Sequence, residues 1–366
     1  MEAFSPFKKI PFYIQASMVL LGLIMTVFIL YILGGVLIPL AFATLIAILL
    51  NPLCNRLQRK MPKVMAIMMT MLIAIVLLMA LLYFLSSRIV HFFDDLDAIK
   101  LKFGQLLHHL QLWLNDTFGL TVKKQEQMLK EAANNSKAVI GQTLTGLLGF
   151  LSVVFLMPVY IFLILLYKPL ILNFFYEVFS EENQHKVREI LGETKSAIQS
   201  YIVGLLIEMT IVAALNSAAL LILGVDNAIL IGIIGAILNI LPYIGGIIAI
   251  ALPVLMATVT KDGISTQILI VAAYSLIQFI DNNILVPRIV SSKVQINALI
   301  SIIIVLLGAG LWGISGMFLS IPFIAVLKII FDRIDGLKPW GKLLGETIPT
   351  EYMGQLKRLR KKKSAT

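Results

Sequence analysis

The feature that most restricts this chain is a set of apolar runs of nearly constant length. Residues 12–33, 64–86, 144–167, 201–223 and 264–286 consist largely of Leu, Ile, Val, Phe, Met and Ala. About twenty such residues, wound as an α-helix, reach the ~30 Å depth of bilayer hydrocarbon. The runs are continuous and do not alternate, which points to helices and away from an outer-membrane β-barrel. Composition agrees: 59% of residues are hydrophobic and 14% charged, where soluble domains carry nearer a quarter charged residues. The chain reads as an all-α polytopic membrane protein with about five or six full transmembrane helices.

Several function classes fall away at once. The chain has one cysteine, Cys54, so neither an internal disulfide nor a thiolate metal cluster is available. Its four histidines, His91, His108, His109 and His185, form no i,i+4 ligand set, and no metal or other cofactor is expected. No GxxxxGK[ST], HExxH or GxSxG pattern occurs, so an enzyme is not expected. The net charge of +10 is concentrated in the tail, where Lys357, Arg358, Arg360, Lys361, Lys362 and Lys363 follow one another. Without interleaved aromatic residues or a binding fold, this is a positive-inside anchor against anionic lipid and not a nucleic-acid site. Lys8 and Lys9 precede a first run with no small-residue cleavage signal after it, which reads as a retained span.

Along the chain, a first span at 12–33 and a second apolar run at 34–50 are expected to form a tight helical hairpin. Arg56, Arg59, Lys60 and Lys63 follow without an acid, placing that loop in the cytoplasm. Residues 1–86 thus make N-terminal scaffold helices. Residues 87–142 form a polar insertion whose apolar positions Ile89, Phe92, Leu96, Ile99, Phe103 and Leu106 recur at spacings of three and four, one face of an amphipathic helix. Residues 143–200 hold the fourth span and a cytoplasmic amphipathic helix capped by Ser180, with Glu181 and Glu182 in its first turn. Residues 329–366 form the basic tail, and both termini are expected on the cytoplasmic side.

Residues 201–328 carry the architectural clue. After the full span 201–223, the apolar segments 228–241 and 247–260 are each ~21 Å long as helix, too short to cross. They meet at "LPYIGG". After the full span 264–286 the pattern returns: short segments at 298–307 and 314–327 meet at "GAGLWG". One full span followed by one broken hairpin, stated twice with reversed entry, reads as an inverted repeat with two opposed re-entrant hairpins, 228–260 and 298–327; two tilted full spans in each is the alternative. Such repeats bind solutes where broken helices meet.

The candidate pathway residues are those that are costly in lipid. Ionisable groups within spans are functional hypotheses by default, and Glu208 and Asp281 are the two here. Gln278, Asn282, Asn216 and Asn239 lie in the same apolar runs. Carboxylate and carbonyl oxygens suit a hard cation, a proton or a small polar solute. Pairing of Asp281 with Arg288, or a Glu208 that faces an aqueous layer, is the structural alternative. At the tips, Gly245, Gly246, Gly308, Gly310 and Gly313 allow close approach of backbone to a solute, and free helix-end amides and carbonyls supply polar groups.

"NILPYIGGIIAIALPVL", "SLIQFIDNNILVPRIV" and "GAGLWGISGMFLSIPFIAVLK" resemble the signature regions of the autoinducer-2 exporter family of bacterial membrane proteins. That resemblance implies a secondary transporter of the bacterial inner membrane that exports a small polar signalling solute or exchanges Na+ (or Li+) for H+. It also implies a homo-oligomer, a pentameric ring being one arrangement. By position, Pro242, Tyr243, Gly245 and Gly246 at one tip, with Asp281 and Pro287, lie near the pathway. An elevator-like motion of the repeat block against the scaffold is the mechanism expected of such a plan. A membrane scaffold or sensor acting through the polar insertion is the remaining alternative.

Overall fold

The computed structural model describes residues 11–94, 156–179, 181–240, 245–261, 263–290 and 296–346, with short helical patches between 101 and 117. The polar insertion, the Leu241–Ile244 tip, Ser180 and the basic tail therefore lie largely or wholly outside the described residues. What is described is helical: α1 Phe12–Ile32, α2 Gly34–Gln58, α3 Lys63–Asp94 and α4 Leu156–Val178 in the N-terminal half. Then come α5 Gln184–Ile222, α6 Ala228–Asn239, α7 Gly245–Thr260, α8 Ser265–Ile280, α9 Ala298–Arg333 and α10 Lys338–Leu344. Seven of the described helices are long and apolar enough to cross a membrane. The chain is a multi-pass membrane protein.

The N-terminal helices pack through small residues. Ala43, Ala47 and Cys54 of α2 meet Ile67 of α3 and Ile161 and Leu165 of α4. Alanine faces let membrane helices approach closely and gain dispersion contacts, since lipid gives helices no hydrophobic reason to associate. The tight hairpin expected of α1 and α2 does not form. Their single linking residue, Leu33, has near-helical angles (φ −81, ψ 5), so the chain bends and runs on. Nothing in α1 is buried.

A second packing centre joins Leu220 of α5, Ala228 and Ile231 of α6, Met256 and Ala257 of α7, and Ile270 and Tyr274 of α8. Here α6 and α7 lie back to back. A Cβ on Gly235 would stand 3.6 Å from that of Ala249, and one on Gly246 would stand 3.5 Å from Asn239 Oδ1, an antiparallel pairing about the tip. At ~18 Å and ~24 Å, both arms are short. The expected amphipathic helix and fifth span are one continuous α5, entered through a 3-10 turn, Glu181–Asn183. Glu181 and Glu182 thus sit in that turn, ahead of the first α-helical turn. The span expected to end at 286 changes character earlier. α8 stops at Ile280 and Asp281–Val290 continues as a wider π-helix, a form concentrated at functional sites.

α9 is also folded in two. Trp312 (φ −134, ψ 22) and Gly313 (φ 58, ψ −139) leave helical geometry, and glycine at Gly313 permits a left-handed φ that costs other residues strain. Ser320 Oγ donates to the Ile304 carbonyl at 2.9 Å across sixteen residues, which only a fold-back allows. The arms are 298–311 and 314–333, and the break is two residues wide where the sequence suggested the whole of "GAGLWG". Among the contacts of α9 with the rest of the protein, Leu319 packs with Leu45 of α2 and Ile198 of α5. Its base is stapled by Asn297. The Asn297 side chain accepts from the Ile300 amide at 2.9 Å and donates to the Leu343 carbonyl at 2.7 Å, capping the start of α9 and the end of α10 together.

A candidate carboxylate site at the first hairpin

The buried face of α5 is a stripe at helical spacing: Tyr201, Gly204, Glu208, Val212, Asn216 and Leu220. Two of these six are polar, and both are deeply covered, Glu208 at 7% exposure and Asn216 at 2%. Burial of a polar group costs free energy unless it is hydrogen-bonded, so the stripe requires partners. Asp281 approaches Glu208 from the π-helical segment and is itself held by side chains of α6 and α8.

Asp281, the first residue of the π-helical segment, is 2% exposed. Asn239, the last residue of α6, donates from Nδ2 to Asp281 Oδ2 at 2.8 Å. Gln278 of α8 donates to the same oxygen at 3.5 Å and to Asn282 Oδ1 at 3.4 Å. The carboxyls of Glu208 and Asp281 meet within hydrogen-bonding reach. Two ionised carboxylates have only acceptors, so that contact becomes a hydrogen bond when a proton lies between them. Asn216 lies against the same hairpin: a Cβ on Gly235 would stand 3.4 Å from its Nδ2.

The tip glycines close this arrangement. A Cβ on Gly246 would stand 2.7 Å from Gln278 Oε1, so the bare backbone at the start of α7 packs directly on the amide that reaches Asp281. Gly245 sits just as closely over the Leu238 carbonyl. Three oxygens in this region, Glu208 Oε2, Asp281 Oδ1 and Asn216 Oδ1, are buried without a hydrogen-bond partner among the described residues. The site is acceptor-rich, and a proton, a cation or a donor group of a solute would complete it. Among the described residues no group of three or more His, Cys, Asp and Glu forms a metal cluster.

The structure brings together Glu208, Asn239, Gly246, Gln278 and Asp281, with Asn216 and Gly245 beside them. Pro242 and Tyr243 lie outside the described residues. Asn282 and Pro287 are exposed; Asn282 joins only through Gln278. Asp281 takes its bonds from Asn239 and Gln278 and not from Arg288, and Glu208 faces inward. Gly308, Gly310 and Gly313 belong to another neighbourhood. Gly308 packs on Gly316 and Ser320, and a Cβ on Gly310 or Gly313 would meet nothing within 4 Å. The apex of α9 is marked instead by Trp312, whose Nε1 donates to the Leu30 carbonyl of α1 at 3.0 Å and stands 3.1 Å from where a Cβ on Gly34 would be. Phe42 and Phe318 stack beside it with ring centroids 5.4 Å apart. Sequence reasoning passed over Trp312. A lone indole between glycines in an apolar run is the available signal, since its N–H must find an acceptor.

A bundle of membrane helices with short paired arms, a π-helical break and a buried carboxylate pair defines the class: a membrane transport protein. The chain belongs to the AI-2E family of transporters, whose profile matches residues 20–336. It is 25% identical over 315 residues to the AI-2 transport protein TqsA of Escherichia coli (strain K12), covering 85% of this chain and 90% of that one. It is 24% identical over 314 residues to the putative transport protein YueF of Bacillus subtilis (strain 168), covering 81% and 83%. A shorter match, 29% over 140 residues and 38% of this chain, links it to YrrI of the same bacterium.

Proposed function

We propose that this protein is a secondary transporter of the bacterial cytoplasmic membrane that exports a small polar solute, with Glu208 and Asp281 as its coupling pair. The observation that carries this reading is the contact between these two carboxyls at the tip of the first hairpin. Intramembrane carboxylates are costly and mark ion or proton pathways. A pair that holds a proton in one state and releases it in another couples proton movement to the position of the hairpin. The solute class follows from the E. coli relative, which is named for AI-2, and from the amides of Asn239, Gln278 and Asn216 that line the site.

The two hairpins form an inverted repeat, enter from opposite faces, and do not cross the bilayer. The block 201–328 moves in an elevator-like manner against the scaffold helices, within a homo-oligomer whose termini are cytoplasmic. Exchange of Na+ or Li+ for H+ at the same pair is the second reading. It is favoured by Glu208 Oε2 and Asp281 Oδ1, carboxylate oxygens that lack donors and suit a hard cation.

Both readings are tested in vesicles containing the full chain, with Glu208→Gln and Asp281→Asn. Solute export reporting on AI-2 uptake into inverted vesicles falls at least tenfold in each variant if the pair couples transport. Loss of Li+-driven proton release with export intact selects the antiport reading. Parent-like behaviour in both assays sinks the role of the pair. For the motion, a disulfide between Phe42→Cys and Phe318→Cys, made in a Cys54→Ser background, joins the block to the scaffold; undiminished transport through the cross-linked protein refutes the elevator.

A further inference from the structure

The carboxylate pair leaves one charged cluster of the molecule unexplained. Lys168 of α4 is half-buried, and its Nζ donates to Oδ1 of Asn51, a 5%-exposed residue of α2, at 2.9 Å. Lys63, the first residue of α3, donates from Nζ to the Leu166 carbonyl at 2.6 Å, two residues from Lys168. Lys195 of α5 also lies near enough for its charge, with that of Lys63, to act on the Lys168 ammonium. Lys63 and Lys168 thus meet at one junction between α2, α3 and α4, with the charge of Lys195 of α5 close enough to be felt there, against their mutual repulsion.

No acid among the described residues answers them. The α2–α3 connection adds Arg56, Arg59 and Lys60 and carries no Asp or Glu. The nearest acids along α5, Glu189 and Glu193, are engaged by Arg333. Among the described residues, Lys63, Lys168 and Lys195 enter no ion pair. The junction also lies at a fixed depth. Asn51 and Lys63 bound the apolar parts of α2 and α3, Lys168 ends the apolar run of α4, and Lys195 precedes the apolar part of α5. By sequence these positions flank apolar runs, which is where hydrocarbon gives way to headgroups.

We propose that the junction of Lys63, Lys168 and Lys195 is a binding site for the headgroup of an anionic phospholipid. The lipid phosphate supplies the missing negative charge, and its acyl chains lie along the exposed apolar surface of α3, where Val64, Met65 and Met68 face outward. Basic pockets between membrane helices bind such headgroups, with each Lys near the surface adding about fivefold in affinity. The site binds α2, α3, α4 and α5 to one lipid and so couples the scaffold to the leaflet's composition.

The test uses the purified full chain in detergent with phosphatidylglycerol or phosphatidylcholine added, read by native mass spectrometry and by thermal unfolding. Phosphatidylglycerol is retained at low stoichiometry and raises the unfolding midpoint; phosphatidylcholine does neither. Lys195→Gln, an exposed change that leaves the fold intact, weakens retention about fivefold, and Lys168→Gln with Lys195→Gln weakens it ~25-fold. A variant with Lys361, Lys362 and Lys363 changed to Gln retains the lipid. Retention unchanged in Lys195→Gln, loss in the tail variant alone, or an equal midpoint shift with inorganic phosphate in place of lipid would each overturn the proposal.

Discussion

Whether α9 is one long helix or a folded pair is decided by two neighbouring glycines. If the arms lie back to back, Gly308 faces Gly316 and Gly310 faces open space. A Cβ on Gly308 would stand 2.5 Å from the Gly316 carbonyl oxygen and closer still to Ser320 Oγ, whereas one on Gly310 would meet nothing within 4 Å. Carbon and backbone oxygen at rest keep ~3.3 Å or more. Gly308→Ala therefore pushes the arms apart by roughly 1 Å. Overpacking of that kind costs ~1–3 kcal/mol, and loss of the Ser320–Ile304 bond costs ~1 kcal/mol more. The better helix propensity of Ala returns up to ~1 kcal/mol. Gly310→Ala receives that propensity gain alone. The propensity gain is common to both, so the two variants differ by ~2–4 kcal/mol, with opposite signs. Thermal unfolding in detergent, followed by intrinsic fluorescence, resolves this as midpoints several degrees apart on either side of the parent. A straight helix would leave both glycines without contacts, and both substitutions would then stabilise. A Gly308→Ala midpoint equal to or above that of Gly310→Ala refutes the folded geometry.

Other contacts give sharper local readouts. Trp312→Phe removes the indole hydrogen bond to Leu30 and lowers stability by ~1 kcal/mol, and hydrogen exchange at the C-terminal end of α1 rises; unchanged exchange there argues against the contact. Asn297→Ala strips a cap from α9 and another from α10, a loss of ~1–3 kcal/mol. Limited proteolysis should then cut within 334–346 first, and a parent-like digestion pattern contradicts the staple. Arg333→Ala breaks ion pairs to Glu189 and Glu193, but these are part-exposed and screened, so the loss stays below ~1 kcal/mol. It should vanish in 1 M salt, and a salt-independent loss points to packing instead. Gly246→Ala drives Gln278 away from Asp281. Its far end is flexible, so the fold survives while transport falls; unaltered transport removes Gln278 from the pathway.

The helical, membrane-spanning character was legible because it rests on run length and solvent alone. Glu208 and Asp281 were legible as candidates for the same reason: each stands out against apolar neighbours. Their meeting was not, because it joins elements 73 residues apart through the crossing of α5 with the π-helical segment, and no local pattern encodes that crossing. The two folded-back segments could be read from segment length, with breaks expected at "LPYIGG" and "GAGLWG", but which residues of the second would leave helical geometry could not. In α9, helical propensity carries through Gly308 and Gly310 and yields only at Trp312 and Gly313. The expected hairpin of α1 and α2 failed for a related reason. Two glycines permit a turn but do not compel one, and Leu33 keeps near-helical angles.

Trp312 has a consequence for populations. Its hydrogen bond to α1 and the Phe42–Phe318 stack hold the second hairpin to the N-terminal helices by about 2 kcal/mol together. With the Leu319–Leu45–Ile198 packing left in place, loss of these two contacts alone shifts the balance between attached and detached hairpin about thirtyfold. A ligand would offset these two contacts by preferring a detached hairpin about thirtyfold.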